Sequence, residues 1–384
     1  RNFLSFKDEV TFSFEASNDK FAEESQVVTI NEYTSLLRFA IVYGYNASGK
    51  SNLLSALDFL SYFWSVKPKD LDSKTGSVPF KLDGVSTDKP SGFELVFYVQ
   101  NTKYWYQLEL DQHQVYLEKL SYYKTTQPIM LFERTLKDGQ SEIQFNPKAV
   151  KISPAAKDLI SLNCLKNTSF FVARNQVNVN LPIIDEAKEW MRNQLMPIIA
   201  PSTTGLTAYA QRKASENKDL IKYIVGFLHE ADFNVTDISA NVVNKQLTDE
   251  AIKFLTEENL SGDEDSAREM ERIKKERTIK QIQTVFEHTV ENEKGTEIFQ
   301  MDKKDESVGT MRTFGIEAAL YEALKSQAVL PVDEWETSLH PKLQEKMLFE
   351  YLKTNSRFQL IVTTHNDGLL DLVDDLIRKD SVWF

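Results

Sequence analysis

The strongest pattern along the chain is the unbroken apolar run Phe39-Ala40-Ile41-Val42-Tyr43, the signature of a strand covered on both faces. After a short polar, glycine-bearing stretch, Leu53, Leu54, Leu57, Leu60 and Tyr62 recur at roughly helical spacing, which predicts a helix over 52–63. Upstream, 2–6 and 10–14 alternate around a charged turn and predict two short strands, with another over 27–30 and a polar loop over 17–24. These make an antiparallel edge placed before the buried strand. A Pro-, Gly-, Lys- and Asp-rich connection follows over 67–90, and then a meander over 93–99, 104–110 and 114–123. Further strands are expected over 129–134 and 142–145, around the Asp138-Gly139 turn. The aromatics of the meander suit a pleated surface. The alternative, a stacking platform for bases, lacks the interleaved Arg and Lys it would need.

Residues 154–165 and 182–195 pattern as helices. Over 187–280 the composition turns charged and helix-prone, with one apolar stripe of Leu220, Ile221, Ile224, Val225 and Leu228, and it reads as an inserted helical segment. Within it, 261–277 runs from acidic Gly262-Asp263-Glu264-Asp265 to basic Arg268, Arg272, Lys274, Lys275 and Arg277. That is a solvated helix laced with ion pairs, or else a face for a protein or nucleic-acid partner. Residues 281–290 and 296–301 flank Asn292-Glu293-Lys294-Gly295 as a hairpin, and a helix is expected over 311–325. Two more apolar strands, 328–332 and 358–364, each end in polar residues. The expected organisation is a first segment over 1–186, the helical segment over 187–280 and a third segment over 281–384.

Composition narrows this picture in three ways. With 384 residues and 41% hydrophobic content there is enough chain for one large domain with an insertion, or for two domains. No run of about eighteen apolar residues occurs, so a membrane span is not expected. Cys164 is the only cysteine, which excludes an intramolecular disulfide or thiolate metal cluster and points to a reducing, cytoplasmic location. A formal charge of −12 argues against a generally basic nucleic-acid surface while leaving a local basic groove possible. The chain starts at Arg1 and stops at Ser381-Val382-Trp383-Phe384, patterned like the start of a strand, so both natural ends are expected to lie outside it.

The chemistry is concentrated after the apolar strands. Gly44, Gly49, Lys50 and Ser51 fill the pattern G-x-x-x-x-G-K-[ST] between the buried strand and the helix. Glycine lets the backbone wrap a polyphosphate, and the N–H groups and dipole of the helix start attract the anion. Asn46, Ala47, Ser48, Gly49, Lys50, Ser51 and Asn52 are the expected ATP-binding stretch, with Lys50 on the β- and γ-phosphates and Ser51 on Mg²⁺. Asp333 and Glu334 close the strand 328–332; Asp333 is the candidate Mg²⁺ carboxylate and Glu334 the candidate general base for the attacking water. His365, at the end of the strand 358–364, is placed to contact the γ-phosphate. His113, His229 and His288 carry no such context.

Taken together, Gly44 to Ser51, the stretch Ser307-Val308-Gly309-Thr310 before a helix, Asp333-Glu334 followed by Ser338-Leu339-His340-Pro341, and Thr364-His365-Asn366 resemble the heads of ABC-type ATPases. The resemblance is strongest to bacterial anti-phage and abortive-infection ATPases, the ATPase domain of OLD-family nucleases and the ATPase subunit of the PARIS system. It implies an α/β fold, an ABC-ATPase-like P-loop NTPase head with an antiparallel β subdomain and a helical insertion. It further implies that Ser307 and Gly309 act as a signature motif contacting ATP held by a second head, with residues 338–341 as the loop crossing that interface and Glu118 as a candidate Q-loop residue. A homodimer or higher homo-oligomer sharing two ATPs, and a protein effector such as a nuclease or toxin, follow as expectations; nucleic acid is a possible further ligand. The implied function is an ATPase that works as a switch controlling an effector in defence. The alternatives are an ATP-stabilised scaffold that stores and releases a toxin with little turnover, and a DNA-repair ATPase. The Leu-Ser-Gly-Gly-Gln signature of transporter ATPases is absent, as is a long heptad region. Pro331, in the strand before Asp333, is a departure that puts the local geometry there in doubt.

Overall fold

A computed structural model describes residues 1–231, 233–258 and 264–384. They divide into two compact units, one of Arg1–Pro201, Ala323–Thr337 and Gln344–Phe384, the other of Ser202–Glu322 and Ser338–Leu343.

The first unit is built on a parallel sheet in the order Val329–Val332, Gln359–Thr364, Phe39–Tyr43, Val382–Trp383. Every residue of Phe39–Tyr43 is buried, as a strand with neighbours on both sides and cover on both faces requires. The helix Lys50–Ser65 follows it and turns Phe59, Leu60, Phe63 and Trp64 inward. These pack on a five-stranded antiparallel sheet, Ser91–Val99, Thr102–Leu110, Val115–Tyr123, Pro128–Lys137 and Gln140–Phe145, paired in chain order. Phe59 stacks on Phe93 at 4.9 Å, and Trp64 stacks at 3.9 Å on Phe171 of the short helix Phe170–Arg174. Burial of each such ring contributes about 1.5–3 kcal/mol, so the helix that begins at the glycine-rich loop is anchored by its far end.

Pro331 fits because of the side it faces. In a parallel strand alternate residues present their backbone groups to opposite neighbours; the carbonyls of Val329 and Pro331 and the N–H of Asp333 bond to Met196, Ile199 and Ile199, on the side away from Gln359–Thr364. Pairing on that side consists only of isolated bridges, Leu195 to Val329 and Ile199 to Val332, and the missing proline N–H falls within this irregular stretch.

The beginning of the chain departs from the expected strands. Residues 2–6 form a tight turn closed by reciprocal Phe3–Phe6 hydrogen bonds of 2.9 Å, and the Phe3 ring is buried against Phe59 and Phe93. Residues 10–14 form no strand, and the chain joins the edge of the hairpin Val27–Asn31/Thr34–Leu37 through the bridge of Glu15 opposite Leu36, made by the Leu37 N–H on the Phe14 carbonyl and the Ala16 N–H on the Ser35 carbonyl. At 2–6 a turn with a buried aromatic ring satisfies the apolar alternation that suggests a strand, and at 10–14 the Phe12 ring does so by packing on Phe14 and Trp383.

Glu118 also departs from its candidate role. Its Oε1 accepts from the hydroxyls of Tyr106 at 3.0 Å and Ser169 at 2.7 Å, and its Oε2 from the Phe170 N–H at 2.8 Å and from Arg134 at 3.1 Å. Both charged side chains are fully buried. A carboxylate engaged four times inside the antiparallel sheet is a structural group.

The second unit packs the helices Leu206–Glu216 and Lys218–Glu230 on a three-stranded antiparallel sheet ordered Gly295–Asp302, Thr278–Asn292, Val235–Gln246. Leu220, Ile224 and Leu228 of the expected stripe are buried with Val235, Ile238 and Phe286, while Ile221 and Val225 lie at the margin. The Asn217 side chain caps the second helix through the N–H groups of Asp219 and Leu220. The strand Val235–Gln246 lies in the helix-prone segment expected to carry several helices. Of the charged run, Ser261, Gly262 and Asp263 lie outside the described residues; Glu264–Glu276 is helical, with an Arg272–Glu276 ion pair of 2.8 Å one turn apart. Among the described residues no helix is long and apolar enough to cross a membrane.

Candidate functional site

Parallel pairing puts the carboxyl ends of three adjacent strands, Val329–Val332, Gln359–Thr364 and Phe39–Tyr43, on one side of the sheet. Val332 is registered with Val362, and Thr364 with Tyr43, so Asp333, His365 and Gly44 leave the sheet side by side. That side is where open α/β sheets take their ligands.

The loop from Gly44 to Gly49 is shaped by local sterics. Gly49 caps the helix at φ +105°, and a Cβ there would come within 2.9 Å of Ser5 Oγ and 3.3 Å of the Phe6 ring, so only glycine fits under the N-terminal turn. A Cβ at Gly44 would lie 2.4 Å from Ser48 Oγ. Ala47 sits at φ +63°, and the Ser48 N–H donates to the Tyr45 carbonyl at 3.1 Å. Asn46 and Asn52 bracket this turn, Asn52 within the first helical turn and Asn46 before the left-handed residue. Lys50 is only 8% exposed. Its ammonium donates to the carbonyls of Gly44 at 2.7 Å and Tyr45 at 3.2 Å, and stands 3.3 and 3.4 Å from the two ring nitrogens of His365.

The acids are held from the neighbouring strand. Thr363 is fully buried; its hydroxyl donates to Asp333 Oδ1 at 2.6 Å and accepts the Glu334 N–H at 2.9 Å. Glu334 adopts φ +49°, a left-handed conformation that costs a non-glycine residue about 1–3 kcal/mol. Thr363 secures it, together with the Thr337 N–H on the Glu334 carbonyl at 2.9 Å and the Thr337 hydroxyl on its carboxylate at 3.3 Å. Asp333 Oδ2 has no hydrogen-bond partner among the described residues. Burial first, and then the carboxylates of Asp367, Glu336 and Asp371, push the Tyr43 phenol well above its ordinary range. This side of the sheet therefore has a negative field with one buried ammonium in it.

The donor set suits Mg²⁺ brought with a polyphosphate. Ser51 offers an exposed hydroxyl at the helix start and Asp333 one uncommitted carboxylate oxygen, both hard oxygen ligands. No group of three or more His, Cys, Asp or Glu that could hold a metal alone exists among the described residues. Mg²⁺ is commonly held by one or two protein oxygens, with phosphate oxygens and water completing the octahedron.

Hydrogen bonds and contacts thus gather Lys50, Asp333, Glu334 and His365. Ser307 and Gly309 belong to the second unit. There Ser307 Oγ accepts the Thr310 N–H at 3.0 Å and so caps the helix Val308–Ser326. An added Cβ at Gly309 would stand 3.3 Å from the Ser338 carbonyl, so residues 307–310 and the start of the 338–341 loop are adjacent. The sequence alone assigns no site role to Thr363 or Glu336, and it presents Thr364 only as a neighbour of His365. The available signal was a third acid in Asp333-Glu334-Trp335-Glu336 facing a polar pair at the end of an otherwise apolar strand.

A family model described as "AAA domain, putative AbiEii toxin, Type IV TA system" matches residues 39–149 and 198–371. No curated protein matches the sequence. Among solved structures, an Smc head bound to the C-winged helix domain of ScpA is similar at 12% identity and a TM-score of 0.35, covering 88% of this chain and 86% of that one. The SMC head domain from Thermotoga maritima is similar at 12% identity and 0.32, with the same coverage. An Smc head domain with an extended coiled coil, bound to the C-terminal domain of ScpA derived from Pyrococcus furiosus, gives 10% and 0.29 at that coverage. The matched family residues span most of the chain and hold the phosphate loop, the paired acids and the strand-end histidine. The chain belongs to this AAA-domain family of P-loop ATPases.

Proposed function

We propose that the chain is an ABC-type ATPase head that binds and hydrolyses MgATP at an interface between two copies and uses the cycle to control a partner effector in anti-phage defence. The observation that carries the reading is the meeting of the Lys50 ammonium with His365 beside the Thr363-bound pair Asp333 and Glu334. Lys50 would bind the β- and γ-phosphates, and Ser51 and Asp333 would hold Mg²⁺. Glu334 would orient and deprotonate the attacking water while His365 contacts the γ-phosphate. Ser307 and Gly309 would complete the site from the second copy; the cap geometry of Ser307 supports this, since a helix start presents N–H groups and a hydroxyl to an anion. The defence assignment extends the resemblance to the OLD and PARIS ATPases, with a cytoplasmic setting and a nuclease or toxin as effector.

Glu334→Gln keeps the side chain's shape and removes the base. It is expected to lower phosphate release by about 10²- to 10⁴-fold with ATP binding and dimer closure intact; unchanged release would end the assignment of Glu334. Mixing Lys50→Ala with Ser307→Arg subunits places both defects in one composite site and leaves the other whole. Activity is expected to return in proven heterodimers, and its absence there would refute the shared-site geometry.

A further inference from the structure

Glu336 commits both carboxylate oxygens to the turn that carries His365. Oε1 accepts the His365 backbone N–H at 2.8 Å, and Oε2 accepts the Thr364 hydroxyl at 2.6 Å. The Thr364 hydroxyl in turn accepts the Asn366 N–H at 2.9 Å, and the Asn366 side-chain amide donates to Gln344 at 3.0 Å. Three consecutive residues, Thr364 to Asn366, are therefore tied through one carboxylate and one hydroxyl. Charge-assisted hydrogen bonds of this kind are roughly twice as strong as neutral ones. The adjacent Thr363 points its hydroxyl the other way, to Asp333 and Glu334, as alternation along a strand requires. One strand end thus registers two sets of groups, the acids through Thr363 and the histidine through Glu336.

We infer that Glu336 is a positioning residue for the proposed hydrolysis: it fixes the His365 backbone so that the ring stands at the Lys50 ammonium, where a γ-phosphate would arrive. This rests on the ATPase reading of the same site. Each oxygen of Glu336 takes a donor of the turn, so the carboxylate acts through the His365 backbone. Its removal would leave the His365 N–H without its acceptor and free the turn, and misplacement of a catalytic group by about 1 Å costs on the order of 100-fold in rate.

The test measures three things on the full chain: Mg²⁺-dependent phosphate release from ATP, affinity for a non-hydrolysable ATP analogue, and hydrogen exchange of the amides at 364–366. Glu336→Ala is expected to lower kcat by about 10- to 100-fold with analogue affinity within twofold and faster exchange at His365. Glu336→Gln, whose amide oxygen can still accept the His365 N–H, is expected to recover most of both. In a His365→Ala background, Glu336→Ala is expected to add little, since the two changes act through one group. Wild-type kcat and exchange in Glu336→Ala, or effects that simply add to those of His365→Ala, would overturn the assignment. If Glu336→Ala proves misfolded, Glu336→Gln and Thr364→Val decide between these outcomes by the same readouts. If the wild-type chain releases no phosphate, the ATPase reading fails by itself; exchange at His365 then decides whether Glu336 holds the turn.

Discussion

Two clusters of buried charge in the first unit contrast in how they are closed. In the antiparallel sheet, the Arg134 guanidinium reaches Glu118, Ser141 Oγ and the carbonyls of Leu165, Lys166 and Thr168, and Glu118 is engaged as fully. At the end of the parallel sheet, Lys50 is nearly as buried, yet its protein partners are two carbonyl dipoles and an imidazole; no carboxylate pairs with it among the described residues. A charge withdrawn from water needs an opposite charge. The first cluster supplies its own, whereas the second holds a cation among dipoles, an arrangement that the proposed polyphosphate would complete. The closed cluster belongs to the fold, and the open one is the cluster the proposed function assigns to the ligand.

Breaking the closed cluster is expected to have the largest effect. Glu118→Ala strands a fully buried guanidinium and should destabilise the first unit by about 3–5 kcal/mol, measured by chemical denaturation, with loss of function following unfolding. A shift under about 1 kcal/mol would show that water can enter and replace the carboxylate, and the contrast between the clusters would fail.

Lys50→Ala is the matching change in the open cluster, and its signature should be the reverse. The bonds lost run from the ammonium to uncharged acceptors, and their loss is offset by relief of the cost of burying that charge, so stability should move by about 1 kcal/mol or less, while turnover falls by about 10²- to 10³-fold and added MgATP no longer raises the melting temperature. If Lys50→Ala destabilises as much as Glu118→Ala, the ammonium is a structural group.

The same contrast explains what could be read from sequence. The phosphate loop was legible because its neighbours are extreme: Phe39–Tyr43 is buried at every position, and such a strand reads as one apolar block. The acids and His365 were legible because each terminates a similar block. The clamps beneath them were not, since Thr363, Thr364 and Glu336 gain meaning only when two strands distant in sequence pair in register. Glu118 misled for the same reason, its partners Arg134, Ser169 and Phe170 being joined to it by sheet pairing and by a helix start. Val235–Gln246 escaped notice because only Val235, Ile238 and Ala240 are buried along its twelve residues. Its polar remainder is held by long antiparallel pairing with Thr278–Asn292, and pairing leaves no mark in local periodicity.

The smallest predicted change in stability tests whether the open, ligand-completed character extends to Ser307. As a cap it satisfies the Thr310 N–H, and Ser307→Ala should cost about 0.5–2 kcal/mol in the second unit. Stability and turnover would fall together in that variant, which leaves the two roles mixed. Ser307→Asp separates them, because aspartate caps as well as serine and suits the positive end of a helix while placing a negative charge where the proposal puts a phosphate. Unfolding midpoints within about 0.5 kcal/mol of wild type, with turnover lost, would mark Ser307 as a group whose main partner comes from outside the chain. Wild-type turnover in Ser307→Asp would leave Ser307 a cap alone and remove the second copy from the site.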